Sequence, residues 1–269
     1  MNQTEFKQRY GPWAVITGAS DGIGYALAQQ LAEIGLNLVL VARRGDRLNE
    51  LAAVLKKQHE IETLVLAADL STPEGLTEVD NATAKLDVGL LVASAGYGTS
   101  GPLIRANLEH ERNMLEVNCF AVLHQSVMFS RRFSRRKRSG IILMASLVGW
   151  QGTPQAAHYA ATKAYVQSLA EAMRVEFKKL NIDVLASAPG PVHSGFADRA
   201  DMRMGAAITP GTVAQASLRA LGRTGTVIPG GLSKLLTYSL MPLPRSLRAR
   251  ILAQVMGGMT KHQNARGAA

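Results

Sequence analysis

The chain has 269 residues, of which 47% are hydrophobic and 19% charged; this suffices for a sizeable core and excludes a disordered protein. Its single cysteine, Cys119, excludes an internal disulfide framework and offers no cluster for structural zinc, so we expect no metal site. Thirty Lys and Arg against twenty Asp and Glu leave a net charge of +10. This positive excess suggests four partners: nucleic acid, an anionic membrane surface, an acidic carrier or an anionic cofactor.

Short apolar runs alternate along the chain with longer amphipathic segments. The runs lack strict alternation, which is typical of strands buried on both faces of a parallel sheet. They predict strands at residues 13–17, 37–41, 63–67, 89–93, 140–145, 183–188 and 226–229. The segments between them predict helices at residues 23–34, 47–58, 111–136, 153–180 and 211–222. This order predicts an α/β fold with a single Rossmann-type, doubly wound parallel sheet of about seven strands, flanked by helices.

No linker, repeat or low-complexity block interrupts residues 1–230. We therefore predict one domain over residues 1–230, with residues 231–269 as a C-terminal extension of it and residues 257–269 as a loose tail. Residues 1–14 lack the apolar core of a signal peptide, and no stretch approaches the roughly 18 apolar residues of a spanning helix. A cytoplasmic location is the expectation that follows.

A glycine-rich turn joins the first predicted strand to the first predicted helix. Its residues are Thr17, Gly18, Ala19, Ser20, Asp21, Gly22, Ile23 and Gly24. Gly18 permits a tight turn, Gly22 lets the backbone approach a phosphate, and Gly24 allows the helix to pack closely on the strand. The helix N-terminus then offers free N–H groups and a positive dipole end to a pyrophosphate. The turn indicates a dinucleotide site, although its spacing departs from the G-x-G-x-x-G pattern.

The same turn also matches the G-x-S-x-G nucleophile elbow of serine hydrolases, with Ser20 as the nucleophile and His193 or His262 as a later base. Its position argues against this alternative, because the elbow normally follows several strands and this turn follows the first. A hydrolase also has no need of Gly24.

The second predicted strand is followed by Arg43 and Arg44. An acidic residue at this point would bind the ribose hydroxyls of NAD, whereas arginine pairs with a 2′-phosphate. The pair favours NADP(H), with Asp21 as a contrary charge nearby. The alternative is that both arginines are solvated loop charges.

Tyr159 and Lys163 stand four residues apart on a predicted helix, and thus on one face of it. A free tyrosine titrates near pH 10, and a neighbouring ammonium favours the phenolate and lowers that pKa. Ser146 follows an apolar strand, where its hydroxyl could hydrogen-bond a substrate carbonyl. Both observations have an alternative without catalytic meaning. A Tyr–Lys pair at this spacing on a helix often occurs by chance, and Ser146 could be a helix cap.

Taken together, these features resemble the short-chain dehydrogenase/reductase family over roughly residues 11–230. The resemblance rests on the order and spacing of the motif at residues 17–24, Asp69-Leu70, Ala95-Gly96, Asn118, Ser146, Tyr159, Lys163 and Pro189-Gly190-Pro191-Val192. The sequence departs from the family at Ala93-Ser94-Ala95-Gly96, where Asn-Asn-Ala-Gly is common. This leaves the side-chain bracing of the strand open.

The resemblance implies a catalytic set of Asn118, Ser146, Tyr159 and Lys163. Tyr159 would be the acid in carbonyl reduction and the base in alcohol oxidation, while Lys163 lowers its pKa and binds the nicotinamide ribose. Ser146 would orient the substrate oxygen, and Asn118 would hold a water of the proton relay. The implied cofactor contacts are Thr17, Gly18, Ser20, Asp21, Gly22, Ile23 and Gly24 of the turn, Arg43, Arg44, Asp69 at the adenine, Leu70, Ala95, Gly96, Tyr159, Lys163, Pro189, Gly190, Val192 and Ser194, which replaces a common Thr.

The sequence thus predicts an NADP(H)-dependent oxidoreductase that interconverts a ketone or aldehyde and an alcohol. The expected substrate is a 3-oxoacyl, steroid-like or other apolar carbonyl compound. Phe196, Met202 and Met204 are expected either to line the substrate pocket or to pack a small lid helix. The alternative from another class is a non-catalytic NADP-binding sensor or interaction protein on the same fold.

Two basic segments remain. Residues 232–259 predict an apolar hairpin with a basic amphipathic helix, which could cap the substrate pocket, rest on an anionic membrane or form an oligomer contact. Residues 131–138 hold the densest basic run, which indicates a solvated helix end or, alternatively, a contact for an acidic carrier. No motif for nucleic acid is present. The resemblance implies a homodimer or homotetramer that associates through residues 111–136 and 153–180.

Overall fold

The computed structural model describes residues 1–266, with side chains through Gln263. The strands are β1 (Trp13–Thr17), β2 (Asn37–Ala42), β3 (Thr63–Ala67), β4 (Val88–Ala93), β5 (Ser139–Met144), β6 (Ile182–Ser187) and β7 (Thr226–Val227). The α-helices of these residues are α1 (Gln3–Tyr10), α2 (Gly22–Glu33), α3 (Gly45–His59), α4 (Pro73–Thr83), α5 (Leu108–Leu115), α6 (Ala121–Phe133), α7 (Ala157–Glu176), α8 (Phe196–Arg199), α9 (Pro210–Ala220), α10 (Gly231–Leu240) and α11 (Arg245–Arg266).

The seven strands form one parallel sheet in the order β3-β2-β1-β4-β5-β6-β7. The chain winds from β1 towards one edge and then returns to wind towards the other, which is the doubly wound arrangement. The two strands at the centre, β4 and β5, are buried at every position. Helices cover both faces of a sheet of this kind, and this explains why the strands are apolar throughout. The predicted fold class is confirmed.

Each face of the sheet has its own core. On one face Leu27 of α2, Leu51 of α3 and Leu218 of α9 pack against the alternate strand residues that include Ile16 and Leu40. On the other, α4, α6 and α7 pack against the remaining strand residues, with Phe129 and Phe133 of α6 fully buried. Because both cores close around the sheet, the loops at its carboxyl edge are held on a rigid base.

The helix predicted at residues 111–136 differs from the one observed. The helical run begins earlier, as α5, and continues into α6 through a π-helical turn at Glu116–Phe120. Such a turn adds one residue to the helix and is frequent at functional sites. The predicted helix at residues 153–180 begins only at Ala157 and ends in a 3₁₀ turn at Phe177–Leu180.

The prediction of a loose tail from residue 257 is wrong for the residues described. The helix α11 continues to Arg266, with Gly257 and Gly258 inside it. Tertiary contacts hold it: Met256 and Thr260 are buried, and the side chain of Gln263 donates to Ser100 Oγ at 2.7 Å. Packing therefore overrides the low helix propensity of the glycine pair.

The basic run at residues 131–138 is more than a solvated helix end. The guanidinium of Arg138 donates twice to the carboxylate of Asp183, at 2.7 and 3.0 Å, and Tyr10 donates to the same carboxylate at 2.7 Å. Arg136 donates to the carbonyl of Gly11 at 2.6 Å and pairs with Asp87. These partners precede or begin strands, so this part of the run fastens the amino edge of the sheet.

Candidate active site

A cavity of about 1070 Å³ opens at the carboxyl edge of the sheet. Loops that follow β1 to β6 form its walls, and α8, α10 and α11 close it from the side. This is where ligands bind in open parallel sheets, because the chain reverses its winding direction beside β1 and leaves a crevice there. The volume is large enough for a dinucleotide together with a small substrate.

The glycine-rich turn lines this cavity with Gly18, Ser20, Asp21, Gly22, Ile23 and Gly24. Gly18 has a φ of +71°, and a Cβ atom on it would lie 2.9 Å from the backbone of Ala95. A Cβ on Gly24 would lie 2.3 Å from the carbonyl oxygen of Gly18. Both glycines are therefore required by the turn itself. Thr17 lies outside the cavity lining.

Thr17 and Ser94 fasten the turn to the loop after β4. The Thr17 hydroxyl accepts a hydrogen bond from the backbone of Ala95 at 3.2 Å, and Ser94 Oγ donates to the Thr17 carbonyl at 2.5 Å. The sequence Ala93-Ser94-Ala95-Gly96, which replaces the common Asn-Asn-Ala-Gly, therefore still braces the strand. Ser94 braces the strand in this sequence, through a shorter side chain.

The arginines after β2, Arg43 and Arg44, border the cavity together with Arg47 and Arg199, which no sequence motif marks. Arg44 donates to Ser20 Oγ at 3.1 and 3.3 Å and lies 3.6 Å from the carboxylate of Asp21. The Arg199 guanidinium lies 3.7 Å from the centroid of the Tyr97 ring. Burial lowers the pKa of Arg199, and the positive charge of Arg43 lowers it further.

Asp69, two residues after the end of β3, lies on the same side of the cavity, and its carboxylate is 4.0 Å from Arg43. Burial by itself raises the pKa of Asp69, but hydrogen bonds from Ser71 and the charge of Arg43 outweigh it, so the net pKa lies below the usual value. Leu70, Ala95 and Gly96 line the adjoining wall.

Ser146, Tyr159 and Lys163 meet on one wall of the cavity. Ser146 ends the loop after β5 and caps the 3₁₀ turn Leu147–Trp150, with Val148 N–H 3.5 Å from its Oγ. Tyr159 lies in the first turn of α7, its ring centroid 5.3 Å from that of Phe196. Lys163, one turn later, donates to the carbonyl of Met144 at 2.7 Å.

The pKa values of this pair differ from the expectation. Burial raises the pKa of Tyr159 to about 12, with the hydrogen bond to Ser146 acting in the opposite direction. Burial lowers the pKa of Lys163 to about 8. The Lys163 ammonium lies 5.9 Å from the centroid of the Tyr159 ring. Desolvation therefore dominates both groups, and the expected lowering of the tyrosine pKa by the lysine is not observed.

Asn118 lies in the π-helical turn and is fully buried. Its amide nitrogen donates to the Tyr97 carbonyl at 2.8 Å and to Thr162 Oγ1 at 3.0 Å, and its amide oxygen accepts from the Tyr97 N–H at 3.1 Å. Both amide hydrogens are thus used by the protein. The side chain joins the loop after β4 to α7, which fixes the wall that carries Tyr159.

The loop after β6 brings Pro189, Gly190, Val192 and Ser194 to the cavity. A Cβ atom on Gly190 would lie 2.4 Å from Ser233 Oγ, so this loop packs directly beneath α10. Val192 pairs with Ile208 in an isolated parallel bridge, which closes residues 193–207 into a loop. Phe196, Met202 and Met204 of that loop line the cavity, as do Leu252, Met256 and Met259 of α11.

The hydrolase alternative finds no support in this geometry. Ser20 Oγ accepts from Arg44, and among the side chains described through Gln263 no histidine lines the cavity. Cys119 is buried, and burial raises the pKa of its thiol to about 11, which keeps it protonated at neutral pH.

Comparisons with known proteins point to one family. The model of the short chain dehydrogenase family matches residues 12–204. A 7β-hydroxysteroid dehydrogenase of Mediterraneibacter gnavus is 30% identical over 241 residues, with 85% of this chain and 89% of that protein covered. A solved 7β-hydroxysteroid dehydrogenase structure has a TM-score of 0.85 at 26% identity and covers 92% of this chain and 98% of its own. A short-chain dehydrogenase from Sphingobium yanoikuyae, solved in complex with NADPH, has a TM-score of 0.77 at 28% identity. The match covers 81% of this chain and 87% of that protein.

Fold, site and comparisons together define a nicotinamide-dependent oxidoreductase on a doubly wound sheet. The chain belongs to the short-chain dehydrogenase family. No helix among residues 1–266 is both long enough and apolar enough to cross a bilayer.

Proposed function

We propose that this protein is an NADP(H)-dependent oxidoreductase that interconverts an apolar ketone or aldehyde and its alcohol, with Tyr159 as proton donor and acceptor. The observation that carries the proposal is the convergence of Ser146, Tyr159 and Lys163 on one wall of the cavity that the glycine-rich turn also lines. A hydroxyl from a strand end, a phenol and an ammonium form a proton-donating group for a carbonyl oxygen.

The residues fit a nicotinamide dinucleotide, because Gly18, Gly22 and Gly24 place no Cβ atoms around the start of α2, where a pyrophosphate would approach. The Asp21 side chain caps the helix there by accepting from the Gly22 N–H at 2.7 Å. When bound, the nicotinamide supplies or accepts the hydride. The chain supplies the rest: Ser146 orients the substrate oxygen, Tyr159 gives or takes the proton at that oxygen, and Lys163 supports the phenolate. Asn118 acts through the loop and helix that it joins. Gly96, Pro189, Gly190, Val192 and Ser194 would border the nicotinamide half.

The preference for NADP(H) rests on charge. Arg43, Arg44, Arg47 and Arg199 border one end of the cavity, and the acidic groups beside them are Asp21 and Asp69. A 2′-phosphate would gain charge-assisted hydrogen bonds there, which a ribose hydroxyl would not. The NADPH bound to the Sphingobium yanoikuyae relative supports the same preference.

The substrate side of the cavity favours a bulky apolar molecule. Phe196, Met202, Met256 and Met259 surround the approach to Tyr159, and methionines adapt to irregular apolar shapes. The similarity to a 7β-hydroxysteroid dehydrogenase supports a steroid-like carbonyl, and a 3-oxoacyl chain is the competing substrate class.

A screen of steroid ketones, 3-oxoacyl thioesters and small aldehydes with NADPH and NADH, followed at the nicotinamide absorbance, tests the whole proposal. We expect turnover of a bulky apolar ketone with NADPH, and loss of turnover in Tyr159→Phe. Tight NADPH binding without turnover of any substrate would favour the non-catalytic sensor, and full activity of Tyr159→Phe would remove the proposed proton donor.

We also propose a homodimer or homotetramer that associates through α5, α6 and α7. Leu115, Phe120 and Val127 are exposed along the α5–α6 run, and Tyr165 and Val175 are exposed on α7. Exposed apolar side chains of this number on adjacent helices are typical of subunit contacts. Light scattering after size exclusion measures the mass, and a monomer at micromolar concentration would contradict the proposal.

A further inference from the structure

The helix α10 is inverted with respect to the usual amphipathic pattern. Ser233 and Thr237, both small and polar, are 5% and 8% exposed and face the protein. Leu235 and Tyr238 are 66% and 60% exposed and face outward. A helix that packs on a core normally buries its leucines, so the outward apolar face of α10 lacks the partner that such a face requires.

The neighbouring turn and α11 extend this face. Met241 and Leu247 are exposed on either side of the turn that links the two helices. Arg248 donates to the carbonyls of Met241 and Leu243, at 2.5 and 2.7 Å, and so fixes the turn. Leu235, Tyr238, Met241 and Leu247 thus form one exposed apolar surface, the α10–α11 face.

Positive charge accompanies this apolar surface. After Asp201 the sequence contains no Asp or Glu, whereas it contains nine Lys and Arg. Nearly all of the net charge of +10 therefore belongs to residues 202–269. Lys234, Arg245 and Arg250 are exposed on the two helices themselves.

This combination of charge and apolar surface selects the occupant. A second copy related by a two-fold axis would bring the cations of two such helix pairs together, and neither α10 nor α11 carries a carboxylate that could neutralise them, which is unfavourable. An anionic bilayer accommodates both kinds of side chain. The apolar side chains enter the boundary of the acyl chains, while Lys and Arg reach the anionic headgroups. We propose that the α10–α11 face docks on the surface of an anionic lipid bilayer.

The docked face lies beside the mouth of the active-site cavity. Leu232, Leu236 and Val255 line the cavity and are also 53%, 40% and 45% exposed. They connect the outward surface to the apolar walls around Tyr159. Docking would open the cavity towards the acyl chains, so that an apolar carbonyl dissolved in the bilayer enters without crossing water. This last step rests on the proposed function, whereas the docking does not.

Vesicle flotation of the full chain tests the docking without any catalytic assay. We expect binding to phosphatidylcholine vesicles that contain phosphatidylglycerol, little binding to pure phosphatidylcholine, and release as salt rises, because the electrostatic part is screened. Binding that ignores the anionic lipid, or no binding at low salt, would overturn the proposal.

Two double variants locate the face. Leu235→Ser/Tyr238→Ser removes apolar area, and Lys234→Glu/Arg250→Glu reverses charge; none of these four side chains lines the cavity. Each should lower vesicle partitioning at least about tenfold. The matched controls are Ile104→Ser, an exposed apolar side chain elsewhere, and Lys178→Glu/Lys179→Glu, which changes net charge equally. Both controls should bind vesicles as the parent does.

Other occupants give different results. If Leu235→Ser/Tyr238→Ser lowers the mass of an oligomer and leaves flotation unchanged, the face joins copies of this chain. Retention on immobilised polyglutamate without vesicle binding would assign it to an acidic protein. Vesicle binding with the expected variant effects, in a protein that turns over no carbonyl, would retain the docking and reject only the proposed function.

Discussion

Lys163 Nζ donates to the backbone carbonyl of Met144 at 2.7 Å, and this bond ties α7 to the carboxyl end of β5. The ammonium is buried beside the loop that carries Ser146. A charged group held there lacks hydration, and for this reason its pKa falls to about 8. The group proposed to support catalysis therefore costs stability in the absence of cofactor.

Lys163→Met is expected to stabilise the ligand-free protein while it abolishes turnover. The pKa falls from 10.5 to about 8 on folding, so at neutral pH the unfolded chain holds the proton more favourably than the folded chain. After allowance for the lost hydrogen bond, the gain is about 2 kcal/mol at pH 7. Denaturant unfolding measures it, with Lys179→Met as the exposed control.

The pH dependence of the stability gained by Lys163→Met tests whether desolvation of the ammonium is its cause. As pH rises through about 8 towards 10.5, the folded parent loses its proton before the unfolded chain does, so the parent becomes more stable and the difference narrows. A difference that stays constant over this range would show that desolvation of the ammonium is not responsible.

The two directions of the reaction should depend on pH in opposite ways. With a Tyr159 pKa of about 12, the phenol is protonated at neutral pH, as reduction requires, and the phenolate needed for oxidation increases about tenfold per pH unit. We expect kcat/KM for oxidation to rise from about pH 6 to 8, and kcat/KM for reduction to be flat there and to fall once Lys163 loses its proton near pH 8. Oxidation that is independent of pH in this range would contradict the role of Tyr159.

Arg43→Ala/Arg44→Ala is expected to raise the KM for NADPH by roughly tenfold to a hundredfold and to leave the KM for NADH nearly unchanged, because only the phosphate loses charge-assisted bonds. Steady-state kinetics with both cofactors measures this. Arg223→Ala, an exposed arginine outside the cavity lining, is the control. An equal effect on both cofactors would mean that the arginines serve the loop and not the phosphate.

Gly257→Ala and Gly258→Ala are each expected to stabilise the protein by about 0.5–1 kcal/mol, because both glycines lie inside α11 and an added Cβ meets no atom within 4 Å. Thermal unfolding detects the gain. In contrast, Gly24→Ala would place a Cβ 2.3 Å from the Gly18 carbonyl and should destabilise the turn. If the glycine pair lay in a loose segment, neither alanine would change the midpoint.

The strands and the shared helix of Tyr159 and Lys163 were predictable because their signals are local. The apolar run Trp13–Thr17 has the length of a normal strand and is too short for a typical helix, and the spacing of Tyr159 and Lys163 already puts them on one helix face. The helices that begin at Ile23 and Arg47 in the prediction begin at Gly22 and Gly45 in the structure.

Features that depend on distant partners could not be predicted in this way. Arg138 finds Asp183 only when β5 and β6 pair, and Arg199 reaches the cationic cluster only when residues 194–208 fold over the cavity. The end of α11 is helical because Gln263 meets Ser100, a contact across most of the chain. The sequence shows that α10 has a polar and an apolar face, but it does not show which face points inward. That is decided by the contact of Ser233 with Gly190.

The cluster of Tyr10, Asp183 and Arg138 lies at the opposite edge of the sheet from the cavity. A strand of six residues separates the two edges by about 20 Å. Attachment of the protein to a solid support through exposed groups near α1 would therefore leave the cavity mouth and the α10–α11 face accessible. An immobilised catalyst made in this way would retain both its chemistry and its access to lipid vesicles.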